Sequence, residues 1–550
     1  MKEPRFWSRV VVWHILFLAL YPCECISAVY EIGENINLNG DTLRIPAGCV
    51  IDFKGGKLTN GTLVLENTVF KGDYCGNVDV TLLGSNMTHD YKVVDYGDMF
   101  KTQSHISTAK NGVVILGTVN IYGDIPCFTS IRGESGRYGE PILIGGLDTR
   151  EDKTHENSHY VLNVKEPNVT ISGLTIKKVF LDPESYVYHR MALEIEAGNV
   201  SIIDCMIDGA IDIVNRRHLR NLKNVTVAYC TIKADFSILC QDEIEKENTY
   251  SEKDVISVRN GFKDVAIHHN KIDAINVNRV FKFSSATLNN DYTTITNFTE
   301  NIKVYDNYIT ARSNHGKQFC DMFCGSNNIT FENNKIICYG FLDLFENKSA
   351  RITGKQRFCV INNEIKCNCQ LGYLNLQGEA VFEYLDNNIT VDKNPRTNGF
   401  YLIDAYSKFR FVGNHVKVIN VTDDNLSVIQ DHSIKNGDYD ITEISNNVFL
   451  GKVNIQLRNL CRQYRVENNE CTSSVDTYFV NAPLTNRADN SYGVSAYYIN
   501  NNKLNNIGTV FMNYGKQGCV FNALYIDEDS AKKLFSKEDK QAFTRSIFIK

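Results

Sequence analysis

The stretch "FENNKI", residues 331–336, decides the fold, because near-copies of it recur along the chain. They include "VYDNYI" (304–309), "VINNEI" (360–365), "FVGNHV" (411–416), "VENNEC" (466–471) and "INNNKL" (499–504). Each fits apolar-x-x-Asn-x-apolar. The fourth position falls on Asn270, Asn307, Asn334, Asn363, Asn387, Asn414, Asn447, Asn469 and Asn502. From Asn307 to Asn414 the successive intervals are 27, 29, 24 and 27 residues. Upstream, Leu174, Cys205 and Cys230 fill the same slot. Asparagine is depleted in ordinary strands, so a recurring one demands a chemical or an architectural cause.

Just before each motif stands a strand opener such as "NVTI" (168–171), "DVAI" (264–267) or "NITF" (328–331), and before that a further alternating segment. Short strands with punctuating turns, repeating at about 25 residues, describe a solenoid in which each coil buries its apolar side against its neighbours. The strand-turn-strand units and the Asn column resemble the right-handed parallel β-helix (pectin-lyase-like) family, in its secreted bacterial form, over residues 42–504.

The resemblance implies an all-β fold: one right-handed parallel β-helix with an N-terminal β cap and a short C-terminal helical cap. The expected divisions are a signal peptide over 1–27, the cap and first coils over 28–150, the solenoid over 151–510 and a C-terminal cap over 511–550. Ser536 with Asp539 has the spacing of a capping box in that last segment. The resemblance also implies that the column asparagine takes a left-handed backbone and stacks on the Asn of the next coil. Both are within the residue's chemistry, since Asn tolerates positive φ and stacked amides bond along a ladder. Triplets such as "NVT" (168–170, 224–226) follow from the repeat, which wants a turn residue followed by β-branched ones.

The bulk properties agree with a large folded body. The 550 residues are 43% hydrophobic with only 9 Pro, which excludes disorder. A net charge of −6 without a basic patch argues against nucleic acid as a partner. Lys2, Arg5 and Arg9 precede an apolar run from Val10 to Leu20, the pattern of a cleaved secretory signal and too short for a spanning helix. A lipoprotein would instead be modified at Cys23 or Cys25, although Pro22 and Glu24 stand where small residues are wanted. The expected product is a monomer without a membrane segment, placed in the periplasm, on the cell surface or outside the cell. Setting aside Cys23 and Cys25 leaves 15 of the 17 cysteines, an odd number in a chain too long to need disulfide staples, so buried free thiols are expected.

A solenoid displays its outward side chains in columns, one per coil. Taking Leu193/Ile195, Ile211/Ile213, Ile256/Val258, Phe281/Phe283, Cys320/Met322, Leu342/Leu344 and Leu374/Leu376 as inward pairs leaves Glu194, Asp212, Ser257, Lys282, Asp321, Asp343 and Asn375 pointing outward. Glu196, Arg259, Ser284 and Gln377 extend the column by one step, although Val214, Phe323 and Phe345 interrupt it, and it turns apolar or mixed near Leu402 or Ile403, Val428 and Ile455. The family commonly binds extended polysaccharides along this face. Asp212, Lys282, Asp321 and Asp343 are therefore the candidate catalytic residues, with Glu194, Ser257, Arg259, Asn375 and Gln377 as substrate-binding residues.

Asp321 and Asp343, if on adjacent coils, fall near the ~5–5.5 Å of retaining glycoside hydrolysis, while skipping one coil gives ~9.6 Å, at the edge of the inverting range. One carboxyl would have its pKa raised by the other. A lyase would instead use Lys282 or Arg259 as base, with a cation such as Ca2+ on the uronate. Tyr186, Tyr188 and His189 lie in a nearby loop. The paired aspartates and Gly-His-Gly element of polygalacturonases are not found, nor is the basic signature of pectate lyases. The same column also fits a charge-alternating, solvated strand face, and a non-catalytic adhesin or glycan-binding protein stands beside the enzyme.

Overall fold

In the computed structural model the chain forms two compact units, residues 1–209 and 210–550. The structure describes residues 28–66, 68–72, 78–85, 113–115, 117–121, 126–135, 140–145, 160–179, 191–216, 222–237, 254–287, 295–322, 326–348, 356–375, 380–392, 401–405, 408–419, 427–431, 441–451, 455–457, 463–472, 478–481, 496–505, 509–512, 523–532 and 547–549. The expected signal peptide (1–27), Gln377, the loop residues Tyr186, Tyr188 and His189, and Ser536 and Asp539 lie outside these described residues. The fold is a right-handed parallel β-helix, with strands as its main regular structure and very little helix.

In the first unit, Val113–Ile115, Ile131–Gly133, Thr170–Ser172 and Val200–Ile203 pair in sequence order in one parallel sheet. Thr118–Asn120, Ile142–Gly145, Thr175–Lys178 and Met206–Asp208 do the same in a second, and Pro126–Cys127, Leu162–Val164 and Met191–Ile195 in a third. The strands Val29–Ile32, Val50–Phe53 and Val69–Gly72 form a smaller parallel sheet near the start, over a core of Ile32, Cys49, Ile51, Phe53, Leu63 and Leu65.

In the second unit, from Ala210 to Asn505, each coil supplies one strand to each of three parallel sheets. One coil reads Asp254–Arg259, Lys263–His268 and Lys271–Ile275; the next reads Arg279–Ser284, Glu300–Tyr305 and Tyr308–Arg312, each strand in register with its predecessor. Side chains alternate along a strand, so Ile256 and Val258, then Phe281 and Phe283, fill the interior. Phe331 meets Phe281 and Phe345 edge-to-face at 5.6 and 5.0 Å between ring centroids, and Phe345 meets Phe358 at 5.1 Å. Such pairs add about 0.5–1.5 kcal/mol each beyond the area they bury.

The Asn column is a continuous ladder from Asn270 to Asn502, buried through Asn469. Each Nδ2 donates to the Oδ1 of the next member at 2.9–3.2 Å. Each backbone N–H donates to the same Oδ1, and Nδ2 also reaches a strand carbonyl, as from Asn334 to Val304 at 2.8 Å. At the start of this ladder, Cys230 donates its N–H to Asn270 Oδ1 at 2.9 Å and its thiol to the Ala228 carbonyl.

The left-handed backbone does not belong to the ladder residue, as the family resemblance implied, but to the residue before it. Positive φ falls on Asp306, Asn333, Asn362, Asp386, Asn446, Asn468 and Asn501. In "FENNKI", Asn333 turns the chain (φ 55°) and Asn334 carries the ladder. The opener residues Asn168, Asn199, Asn224, Asp264, Asn301 and Asn328 also have positive φ, which gives the recurrent triplets their backbone reason.

The parallel sheet containing Asn327–Glu332 runs on past residue 510 through Ala523–Ile526 and Ile547–Ile549. Between those two strands lies a short helix, Glu528–Ala531, capped by Asp527, whose carboxylate accepts from the Ser530 N–H at 2.8 Å. The described cysteines are free and buried, Cys320 among them. Burial pushes the Cys127 thiol up to about 12 and holds Cys320 well above the usual thiol range.

Candidate functional site

The candidate site lies on the sheet that begins with Ala210–Val214 in the second unit. Strand register aligns Asp212 with Ser257, Ser257 with Lys282, and Lys282 with Asp321, as alternation predicts. The next step departs from the expectation. Asp321 stands opposite Glu346, while Asp343 stands opposite Gln318 and Gln370, three residues earlier on its strand. Phe341, Leu342, Leu344 and Phe345 crowd this strand with apolar residues, so a period of two does not define its register. Packing does: Phe345 stands opposite Cys320 among the core rings, and Leu342, expected inside, is 40% exposed. The slip carries forward, so Tyr373 rather than Asn375 follows Glu346, and Asn375 pairs with Lys348.

Further along, strand register places Asp404, Gln430, Gln456 and Asn481 after Tyr373, rather than Ile403, Val428 and Ile455. Glu194 lies in the first unit, opposite Asn163, whose Nδ2 donates to Glu194 at 3.0 Å and to Glu196 at 2.9 Å.

The row is not a solvated face. Asp212, Ser257, Lys282, Asp321 and Glu346 are at most 9% exposed. Charges this deep must be paired, because an unpaired buried charge costs several kcal/mol. Arg259 grips both oxygens of Asp212, with Nε to Oδ1 at 2.9 Å and Nη2 to Oδ2. Arg279 bridges two carboxylates, with Nη1 3.1 Å from Asp254 Oδ1 and Nε 2.8 Å from Asp321 Oδ2. The second contact is an ion pair whose N–H is not aimed for a hydrogen bond. Lys282 Nζ lies 3.8 Å from Asp254 Oδ2. Besides Arg279 Nε, the buried Ser257 Oγ and Asp254 Oδ2 have no hydrogen-bond partner among the described residues. Buried polar atoms in that state are rare and call for a reason.

Asp254, Arg279 and Glu346 were not among the residues singled out from sequence. Asp254 and Arg279 open their strands at the parity of the inward Ile256 and Phe281, so alternation assigns them to the core. Among the described residues no three His, Cys, Asp or Glu side chains come together as a metal site, and no helix is long and apolar enough to cross a membrane.

No protein-family model matches the sequence, and no curated protein matches it. Solved structures that align with the chain include the following three. The catalytic domain of GH87 alpha-1,3-glucanase in complex with nigerose aligns at 14% identity and a TM-score of 0.37, over 79% of this chain and 67% of that one. The thermostable GH87 alpha-1,3-glucanase catalytic unit from Streptomyces thermodiastaticus strain HF3-3 aligns at 12% and 0.31, over 77% and 67%. DFA-IIIase from Arthrobacter chlorophenolicus A6 aligns at 12% and 0.34, over 82% and 93%. Similarity at this level says nothing about chemistry.

Proposed function

We propose that this is a secreted, polysaccharide-active β-helix protein that hydrolyses an acidic or complex glycan at the charged row of the second unit. The observation that supports it most is the opposition of Asp321 and Glu346 on neighbouring strands, both nearly buried, with Arg279 and Lys282 beside them. Neighbouring strands lie ~4.7–4.9 Å apart, which suits the ~5–5.5 Å carboxyl separation of a retaining glycosidase. Asp321, ion-paired with Arg279, suits the ionised nucleophile or stabiliser. Glu346 suits the acid that protonates the leaving oxygen and afterwards takes the proton of the incoming water. Lys282 and Arg279 suit a negatively charged sugar. Asp212, closed by Arg259, acts by shaping the row. Reducing-sugar release from acidic and neutral polysaccharides tests the reading. Loss of release in both Asp321→Asn and Glu346→Gln supports it. Ultraviolet absorbance of an unsaturated product would replace it with a lyase, and binding without cleavage would replace it with a glycan-binding protein.

A further inference from the structure

The residue that precedes the ladder asparagine turns each coil in left-handed backbone, and from Asp306 to Asn501 this slot holds only Asn, Asp or Gly. The two preceding coils depart from that rule with Tyr229 (φ 57°) and His269 (φ 55°). Histidine is tolerated there better than most residues, but a bulky tyrosine is a genuine outlier, and such outliers cluster at functional sites. The two rings are neighbours, with centroids 4.9 Å apart and planes inclined by 32°. His268 stacks on Tyr305 at 4.6 Å and 14°. The two imidazoles meet Nδ1 to Nδ1 at 2.9 Å, so one donates its N–H to the other. Asp306 Oδ2 lies 3.8 Å from His269 Nε2. Partial burial, and then the neighbouring His269, lower the His268 pKa, which keeps that imidazole neutral at pH 7. Tyr229 is 57% exposed and so is not held in its strained position by core packing.

An exposed aromatic face edged by imidazole and carboxylate groups matches a pyranose, which offers an apolar C–H face and a rim of hydroxyls. A metal is a poorer match, since among the described residues no third ligand joins the two histidines. We propose that this turn cluster is a second carbohydrate site, apart from the charged row, where a sugar ring of the polysaccharide stacks on Tyr229 while His269 and Asp306 hydrogen-bond to its hydroxyls. The inference rests on the glycan reading above for its class of ligand. It assigns the cluster to holding the polymer and not to cleaving it.

Affinity electrophoresis of the full chain in gels containing mixed-linkage β-glucan, arabinoxylan, arabinogalactan or homogalacturonan tests it, with Tyr229→Asn/His269→Asn as the variant. Asn is the residue this slot normally holds, so the variant is expected to melt at or above the parent temperature. Its apparent affinity for the retarding polysaccharide is expected to fall at least tenfold, while cleavage of short oligosaccharides is unchanged. A merely structural cluster would give the opposite signature, with a lower melting temperature and unchanged retardation, and that result overturns the proposal. Should the double variant fail to fold, Tyr229→Gly alone is read the same way. A parent that cleaves glycans but is retarded by none of the four polymers removes the second site only. A parent that neither cleaves nor is retarded removes both readings.

Discussion

Adjacent residues in "FENNKI" do different work, so Asn334→Ala and Asn333→Gly should differ sharply in stability. The Asn334 side chain accepts from the Asn307 N–H at 3.1 Å and from Asn307 Nδ2 at 2.9 Å. It donates to the Val304 carbonyl at 2.8 Å and to Asn363 Oδ1 at 3.0 Å. Truncation removes all four. Asn307 Nδ2 keeps the Ile267 and Tyr305 carbonyls, and Asn363 Oδ1 keeps the backbone N–H of residue 334. The buried Asn307 N–H loses its acceptor outright. A net hydrogen bond contributes about 0.5–1.5 kcal/mol and a stranded buried donor costs about 1–3 kcal/mol, so Asn334→Ala is expected to cost about 3–5 kcal/mol. Asn333, exposed and at φ 55°, loses only the bond from Asn362 Nδ2 at 2.7 Å, and glycine accepts that backbone readily. Its replacement should cost under about 1 kcal/mol. Coils of a solenoid need not unfold together, so hydrogen exchange at the amides of 307 and 334 should accompany urea denaturation followed by circular dichroism. Equal midpoint shifts for the two variants, or unchanged protection at amide 307 in Asn334→Ala, would refute the division of labour.

Gly340→Ala drives a Cβ into the Ser313 carbonyl oxygen at φ 81°, and should cost at least about 2 kcal/mol, seen as a lower melting temperature. Arg279→Met removes the guanidinium that pairs with buried Asp254 and Asp321, leaving Asp254 only the more distant Lys282, and should cost about 3–5 kcal/mol; Asp254→Asn with Asp321→Asn in the same background should restore part of it if the charges are the cause. Glu346→Gln should lower glycan hydrolysis by about 100-fold or more, while Asp343→Asn, outside the row, should change it by less than about tenfold in the same reducing-sugar assay. Cys127 and Cys359 keep their protons in the folded chain up to about 12, whereas unfolded thiols lose theirs from about pH 8.5. The unfolded state therefore binds fewer protons above that point, and stability should fall as pH rises from about 8.5 toward 12; a midpoint that holds steady over this range in urea titrations would contradict the burial of these thiols.

The turn chemistry of this fold is written in single residues, and the site is not. Ladder members must accept and donate at once, a task that suits Asn, so Asn307, Asn334 and Asn363 mark their coils wherever they occur. The neighbouring slot needs left-handed backbone, which Asn, Asp and Gly satisfy alike, and two adjacent asparagines hide which of them turns. The charged row carries no such marker. Its register is set by core packing and by the length of chain between each strand and the ladder, and that length varies. Asp321 precedes Asn334 by 13 residues, while its partner Glu346 precedes Asn363 by 17. Counting back from the ladder therefore locates Asp321 and misses Glu346. Alternation fails for a second reason at Asp254 and Arg279, which share the parity of core residues and yet form an ion pair where their strands begin. What reveals them is charge balance. Buried Asp321 needs a cation, and the Arg279 guanidinium that supplies it also reaches Asp254. The candidate site is thus organised around Arg279, a residue that neither periodicity nor the repeat singles out.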